Sequence, residues 1–495
     1  MHRKYRIVVL WIGLMLSVSS IYAQGYFKIT PELEEVYELA VNLRLEEAQL
    51  KIDEIKKDEP DNALVYHIEN YIDFFTVFVT EEKAVFDRLK KNKDYRLKKI
   101  ENSDKLSPYY RFSQAEIKLQ WALVRLKFNE RFNAAREVYS AYSLLEKNTK
   151  LYPEFLLNYK SLSVIHVLAK NVPGLVRTIF NINGSITEGT REIRTLVEQE
   201  DKNKTLFGDE AHIIFAYILH YQNNQKSKAW EHLRKRYLEK ENNPLVTFIV
   251  ANLAQKNGYN DQAIKLLENR PQNENQIPFY YLDFLLGKFK LYRNDADADI
   301  HIQRYLDNFK GEHFIKEAHQ KLAWHALIIE DDLAKYKKHM RILGEVGSDL
   351  VDEDKQAKKE AKENNIPHPD LLRARLLFDG AYYRKAYDFL VRKAYIFQNE
   401  NQKLEYNYRM GRITQMLKNY PEAIEYFAKS IQGKPEKSYM RCNAALQVAL
   451  ILEEQGKSKQ ALDYLEQCLD IKPDRYKDSL HQKAKSARQR IQEKQ

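Results

Sequence analysis

Residues 404–435 read LEYNYRMGRITQMLKNYPEAIEYFAKSIQGKP. Apolar and small residues recur there at three- and four-residue steps, the period of a helix that buries one face. The pattern predicts two helices. Met410 and Gly411 lie midway along the first, and Tyr420, Ala423, Phe427 and Ser430 line one face of the second. Gly411 and Ala423 are small where two antiparallel helices must approach closely, and Phe427 is a large knob beside them. Pro435 lacks an N–H and biases Lys434 away from helical angles, so it closes the unit. Strand-like alternation is hard to find anywhere in the chain. Glycine and proline are scarce, 15 and 13 in 495 residues, and the reading is all-α.

The same spacing returns. CNAALQVALILEEQGKSKQALDYLEQCLDIKPD sets Ala449, Gly456, Ala461, Leu465, Cys468 and Pro473 in corresponding places, 38 residues on from Ala423 and Pro435. HPDLLRARLLFDGAYYRKAYDFLVRK offers Ala374, Tyr383, Ala386 and Leu390, and EVYELAVNLRLEEAQLKIDEIKKDEPDN offers Ala48, Ile52, Ile55 and Pro60. Weaker copies centre on Ala135 and Ala263. These segments resemble tetratricopeptide repeats, helix–turn–helix units of about 34 residues with small residues at the helix crossing and a terminal proline. The resemblance covers 404–435 and 442–473, then 367–393, 37–60 and 244–271. No copy has the family's early Trp, and a first-helix glycine occurs at Gly411 and Gly287. The resemblance implies a right-handed α-solenoid of antiparallel helix pairs with a concave inner face. One pair cannot bury its apolar face alone, so neighbours must stack, and the chain has room for about a dozen units.

Two stretches interrupt the array. NVPGLVRTIFNINGSITEGTREIRTLVEQEDKNK carries Gly174, Gly184 and Gly189, and predicts a kinked or shortened helical pair followed by a loop near 201–205. EVGSDLVDEDKQAKKEAKENNIPHPD is highly charged and ends in Pro367 and Pro369. The expected organisation is a divergent helical array over 24–345, a charged helix or linker over 346–366, repeats over 367–476 and a polar capping helix or tail over 477–495.

The first 23 residues read differently. Arg3, Lys4 and Arg6 precede the uncharged run IVVLWIGLMLSV, and SSIYA ends at Ala23. A basic start, a short apolar core and a small terminal residue predict a signal peptide cleaved near Ala23, and hence an exported protein, periplasmic or secreted. Ile21 departs from the usual small residue two places before the cut, which leaves an uncleaved anchor as the alternative. No later run is long enough to cross a membrane, which takes about 20 apolar residues. Removing the leader lowers the net charge from +10 to +7. Lys and Glu are mixed along the chain, the pattern of solvated helix faces and not of a nucleic-acid groove.

Candidate chemistry is sparse. Asp295, Asp297 and Asp299 begin like a calcium loop, but Ile300 and Leu306 stand where Gly and Glu are required. His313, His319 and His325 recur at six-residue steps, which do not share one helical face, and there is no HExxH. GxGxxG and GxSxG are absent. Asp352, Glu353 and Asp354 read as a solvated helix start, favourable near the positive end of the helix dipole. No metal, cofactor or catalytic residue is expected. Cys442 begins one helix of its unit and Cys468 nears the end of the other; antiparallel packing brings those ends together and makes a disulfide a candidate, with two small buried residues as the alternative.

The best functional surface comes from the resemblance. Inward-facing first-helix positions of the family fall on Arg375, Phe378 and Asp379, then on Tyr408, Arg412 and Gln415. Arg375 and Arg412 hold the same position in neighbouring repeats, and two guanidinium forks there suit carboxylates; the competing reading pairs them with local acids such as Asp379 or Glu405. The family's peptide-carboxylate clamp uses Lys and Asn where Leu371 and Arg375 stand, so that ligand is not implied. The expected function is a non-catalytic exported scaffold that holds a protein or extended peptide on its concave face. The alternative is a cell-envelope assembly or carbohydrate-binding accessory protein at the outer membrane, for which Trp121, Trp230 and Trp324 are few aromatic platforms. An enzyme would need a further domain.

Overall fold

The computed structural model describes residues 25–169, 182–238, 243–270 and 273–493. The expected leader over 1–23, with its cut near Ala23, and Gly174 lie outside them. Among the described residues the regular structure is helical, and the only β pairings are the isolated bridges Gly25–Ser103 and Tyr26–Asn62.

The chain divides into two units. The first takes residues up to 253 together with 269–279, and the second takes 254–268 together with 280 onward. In the first unit α1 (Pro31–Val41) pairs with α2 (Leu45–Asp58), α3 (Leu64–Thr80) is followed by the short α4 (Lys83–Leu89) and α5 (Asn92–Glu101), and α6 (Pro108–Lys127) pairs with α7 (Arg131–Leu151). Then α8 (Asn158–Leu168) packs on α9 (Ile186–Glu200), and α10 (Gly208–Tyr221) on α11 (Lys226–Tyr237). The 269–279 segment returns to the first hairpin, where Ile277 N–H donates to Leu43 O at 2.9 Å and Gln276 Nε2 to Asn42 O at 2.9 Å.

After α12 (Pro244–Lys256), the second unit runs α13 (Asn260–Glu268), α14 (Tyr281–Arg293), α15 (Ala298–Asn308), α16 (Ile315–Ile328), α17 (Leu333–Ile342) and α18 (Asp352–Glu363). It continues with α19 (Pro369–Asp379), α20 (Tyr383–Leu390), α21 (Glu400–Met416), α22 (Tyr420–Gln432), α23 (Tyr439–Glu454), α24 (Ser458–Asp470) and α25 (Lys477–Glu493). Sequence neighbours pack as hairpins, and α19, α21, α23 and α25 also pack one on the next. This is an all-α solenoid of stacked helix pairs.

Helix starts follow local chemistry. Thr30, Ser185 and Asp332 accept from the third backbone N–H ahead of them, satisfying amides that the first turn leaves unpaired. The turns within pairs share one conformation: Asn224, Gly258, Asn294, Asp331, Ala381, Lys418 and Gly456 all have positive φ. They stand 34, 36, 37, 50, 37 and 38 residues apart, so the repeat period runs well beyond the segments with the best sequence match. The 50-residue step is where α18 is inserted.

That insertion corrects the expected organisation. Residues 346–366 do not separate two arrays: α18 packs on α16 inside the second unit, and the division falls at 253/254 and 279/280. Nor is the acidic start of α18 wholly solvated. Asp354 is fully buried and accepts from Phe314 N–H at 2.7 Å and Glu317 N–H at 2.9 Å, capping α16 from a neighbouring helix.

In the 404–435 pair the predicted packing holds. A Cβ on Gly411 would lie 2.6 Å from the Phe427 ring, and Ala423, Phe427 and Ser430 are buried. Gly287 plays the same part on α14, where a Cβ would meet Ile302 at 2.5 Å. α22 ends at Gln432 with Gly433 as its cap, before Pro435 is reached. On α7 the buried small residue is Ala134 and not Ala135, a one-residue shift of the expected register.

Candidate functional site

The stacked α14, α16, α19, α21 and α23 place five rows of side chains side by side. On α14 and α16, Lys288 Nζ lies 2.7 Å from Glu317 Oε1 and Lys321 Nζ lies 3.3 Å from the same oxygen. Lys321 also stands 4.0 Å from the centre of the Trp324 ring, and the Arg375 guanidinium stands 4.8 Å from that ring. Trp324 Nε1–H donates to Glu360 Oε1 at 2.8 Å, which fixes the indole as a platform.

Arg375 keeps 41% of its side chain exposed, yet burial opposes its charge; Asp379 and Glu360 outweigh that and hold its pKa above the usual arginine value. An accessible group crowded by protein atoms is what a recessed surface produces. Its Nε is 3.7 Å from Asp379 Oδ2, and its guanidinium makes no hydrogen bond among the described residues. Asp379 thus takes the role of local acid only loosely, and Glu405 is committed to Arg409 instead.

The remaining predicted residues support this surface in different ways. Arg412 lies 5.0 Å from the Phe378 ring centre, and its Nη1–H donates to Tyr408 OH at 3.3 Å. Tyr408 is buried, and its hydroxyl also accepts from Asn443 Nδ2–H at 2.6 Å. Gln415 Nε2–H donates to Gln447 Oε1 at 3.0 Å, and Gln447 Nε2–H to Asn443 Oδ1 at 3.0 Å. Tyr408 and Gln415 are therefore braces between repeats, while Arg375 and Asp379 keep part of their side chains exposed. Each arginine has its own ring platform, Trp324 for Arg375 and Phe378 for Arg412.

Sequence reasoning missed Lys288, Lys321 and Lys256. Burial, with Lys288 and Arg375 nearby, lowers the Lys321 pKa to about 8, although Glu317 pulls the other way. Burial and Lys288 also lower that of Lys256. Burial works against the charges of Lys288 and Glu317 too, but their mutual attraction prevails and holds Lys288 up and Glu317 down. The result is a patch where cations crowd one another. Lys288 and Lys321 lie on α14 and α16, outside the segments that resemble the repeat, and Lys256 falls within 244–271 at a position no motif marks.

The other sequence candidates have plain partners. Asp295 pairs with Arg293, and Asp297 with Lys290 at 2.6 Å. His319 Nδ1 faces His339 Nδ1 at 3.1 Å, and His325 Nδ1 faces Glu330 Oε1 at 3.0 Å. Cys442 Sγ and Cys468 Sγ stand 3.3 Å apart, both buried and both thiols. The antiparallel ends do meet as the spacing implies.

An array of antiparallel hairpins with a polar face along its first helices defines a helical-repeat scaffold. Residues 403–474 match the tetratricopeptide repeat family, and over that stretch the chain is similar to it. No curated protein matches it. Among solved structures, a human IFIT1 dimer with PPP-AAAA is 13% identical over 94% of this chain and 95% of its own, with a TM-score of 0.32. Naa15/Naa10 bound to HypK-THB is 11% identical over 93% of this chain and 65% of its own, with a TM-score of 0.23. At those values neither carries an argument about what this chain binds. No described helix is long and apolar enough to cross a membrane.

Proposed function

We propose that this protein is a non-catalytic scaffold, exported by its N-terminal leader, that holds an acidic segment of a protein or extended peptide against the face formed by α14, α16, α19 and α21. The observation that carries this reading is the Arg375 guanidinium, accessible, without a hydrogen bond among the described residues and set over Trp324. A guanidinium with unspent donors takes a carboxylate bidentately, and the neighbouring Lys288, Lys321 and Lys256 raise the local anion preference. Association with the cell envelope is part of the proposal.

The test is co-purification and peptide-array binding with the wild type and with the Arg375→Ala/Arg412→Ala double variant. Binding to acidic peptides should fall about tenfold or more and weaken with salt, while helicity stays unchanged. Equal binding by both proteins would move the interface elsewhere. Export has a further consequence at Cys442 and Cys468. In an oxidising compartment the two thiols would lose two protons and two electrons to an external disulfide and join as one S–S bond. Non-reducing mass mapping of the exported protein that finds both thiols free rejects the bridge.

A further inference from the structure

In the first unit, several recessed carboxylates are met by lysine or arginine. Lys160 Nζ lies 2.7 Å from both Glu116 and Glu210, and Arg96 lies 2.9 Å from Glu69 and 2.6 Å from Asp73. One cluster is built differently. Glu192 is buried on α9, and its ionic partner is the buried His166 of α8, Nδ1 to Oε2 at 2.8 Å. Glu188, one turn earlier on α9, has no lysine or arginine within ion-pair distance among the described residues, and its carboxylate, that of Glu192 and an imidazole nitrogen of His166 lie within 4.8 Å of one another. On the far side of the ring, Glu146 Oε1 of α7 stands 3.9 Å from His166 Nε2.

The backbone is shaped to bring these groups together. A Cβ on Gly189 would lie 2.4 Å from Ser163 O, and one on Gly184 would lie 2.5 Å from His166 Cα. Only glycine lets α9 and its approach lie this close to α8. Tyr142 sits edge-on to the imidazole at 5.9 Å, and together with Glu146 and Asn183 it lines a cavity of about 440 Å³. Burial alone would make the imidazole less basic; Glu192, Glu188 and Glu146 reverse that and raise its pKa. Lys150 Nζ stands 3.8 Å from Glu146 Oε2 and offsets that carboxylate, which leaves Glu188 and Glu192 beside the imidazole.

We propose that His166 Nδ1 and the carboxylates of Glu188 and Glu192 bind one divalent transition-metal ion, with Glu146 accepting the Nε2–H of the ligating imidazole. One imidazole with oxygen donors suits zinc or manganese, and a carboxylate on the second ring nitrogen is the arrangement that fixes a ligating histidine. Glu188 is half-exposed and can turn its carboxylate in to close the donor set, with water in the remaining positions. The other histidine clusters offer less. Both ring nitrogens of His325 are already engaged, by Glu330 and by Ala296 O at 2.9 Å, and Asp201 beside His212 and His232 is taken by Arg236.

The full chain is titrated with Zn2+ and Mn2+ by calorimetry and with Co2+ by visible absorption. The expected result is one saturable site per chain, weakened about tenfold or more by Glu188→Gln and by Glu192→Gln at unchanged helicity, and unaltered by His232→Ala. Glu188→Gln alone decides the matter if Glu192→Gln fails to fold. Absence of binding, binding indifferent to Glu188→Gln, or binding lost in His232→Ala overturns the site.

Discussion

The two ends of the array hold their helices together by different means. In the 403–474 repeats the contact between helices is apolar and small: Gly411 against Phe427, with Ala423, Ala449, Ala461 and Leu465 buried around them. In the first unit the centre is polar. Lys160, 1% exposed, bridges Glu116 and Glu210, and Tyr37 and Tyr71 both donate to Glu210 Oε1 at 2.7 Å. His67 stacks on Phe207 beside them, and burial with the nearby Lys160 keeps it neutral. A second network joins Arg96 to Glu69 and Asp73, and Trp121 Nε1–H to Asn70 Oδ1 at 2.9 Å. Residue size sets the close helix crossings in one region, while in the other the crossings also depend on charges that must meet.

Removing the central cation should break the polar region most severely. Lys160→Ala strands the buried Glu116 carboxylate and leaves the partly exposed Glu210 to its two tyrosines, and should cost the first unit about 3 kcal/mol. Denaturant unfolding followed by a probe in that unit checks it, and a loss below about 1 kcal/mol would mean that the network is solvated. In the C-terminal repeats, Gly411→Ala should cost about 1–3 kcal/mol, because the new methyl meets the Phe427 ring and the pair must splay. Gly456→Ala has open space around it, and its cost of about 1 kcal/mol comes from positive φ alone. Thermal melts of the two variants separate packing from backbone strain.

A further effect of similar size concerns pH. Lys321 has its pKa lowered from 10.5 to about 8 by burial and by its cationic neighbours. A base less basic in the folded state than in the unfolded one subtracts stability while it is charged. The penalty is full below pH 8 and disappears as pH rises from about 8 to 10.5. Lys321→Met should therefore stabilise the second unit by about 1–2 kcal/mol at pH 7 and by little near pH 10. Parallel melts at the two pH values measure this; an equal gain at both would show that the lysine does not titrate in that window.

How much was legible follows from the same contrast. Ala423, Phe427, Ala461 and Leu465 announce their repeats because a close helix crossing needs small and large residues at fixed offsets. The within-pair turns were harder to see: the positive-φ position is Gly at 258 and 456, but Asn at 224 and 294, Asp at 331, Ala at 381 and Lys at 418. Any of these can fill one left-handed position at modest cost, so the period persists without a motif. Of the predicted site, Arg375, Phe378 and Asp379 were singled out by the resemblance to the repeat family. The cations beside them were not, since Lys321 and Lys288 look like any other charged helix residue until stacking buries them.

By itself the sequence determined the class of fold and the fine packing of the C-terminal repeats, because helical period and residue size are local properties. Tertiary structure alone decided where the chain divides, that α18 belongs inside the second unit, and which charges face one another. His166 and Glu192 are 26 residues apart with nothing in either neighbourhood to link them. Their meeting depends on two helices closing over glycine, and electrostatic partnership of that kind is a property of distance in space.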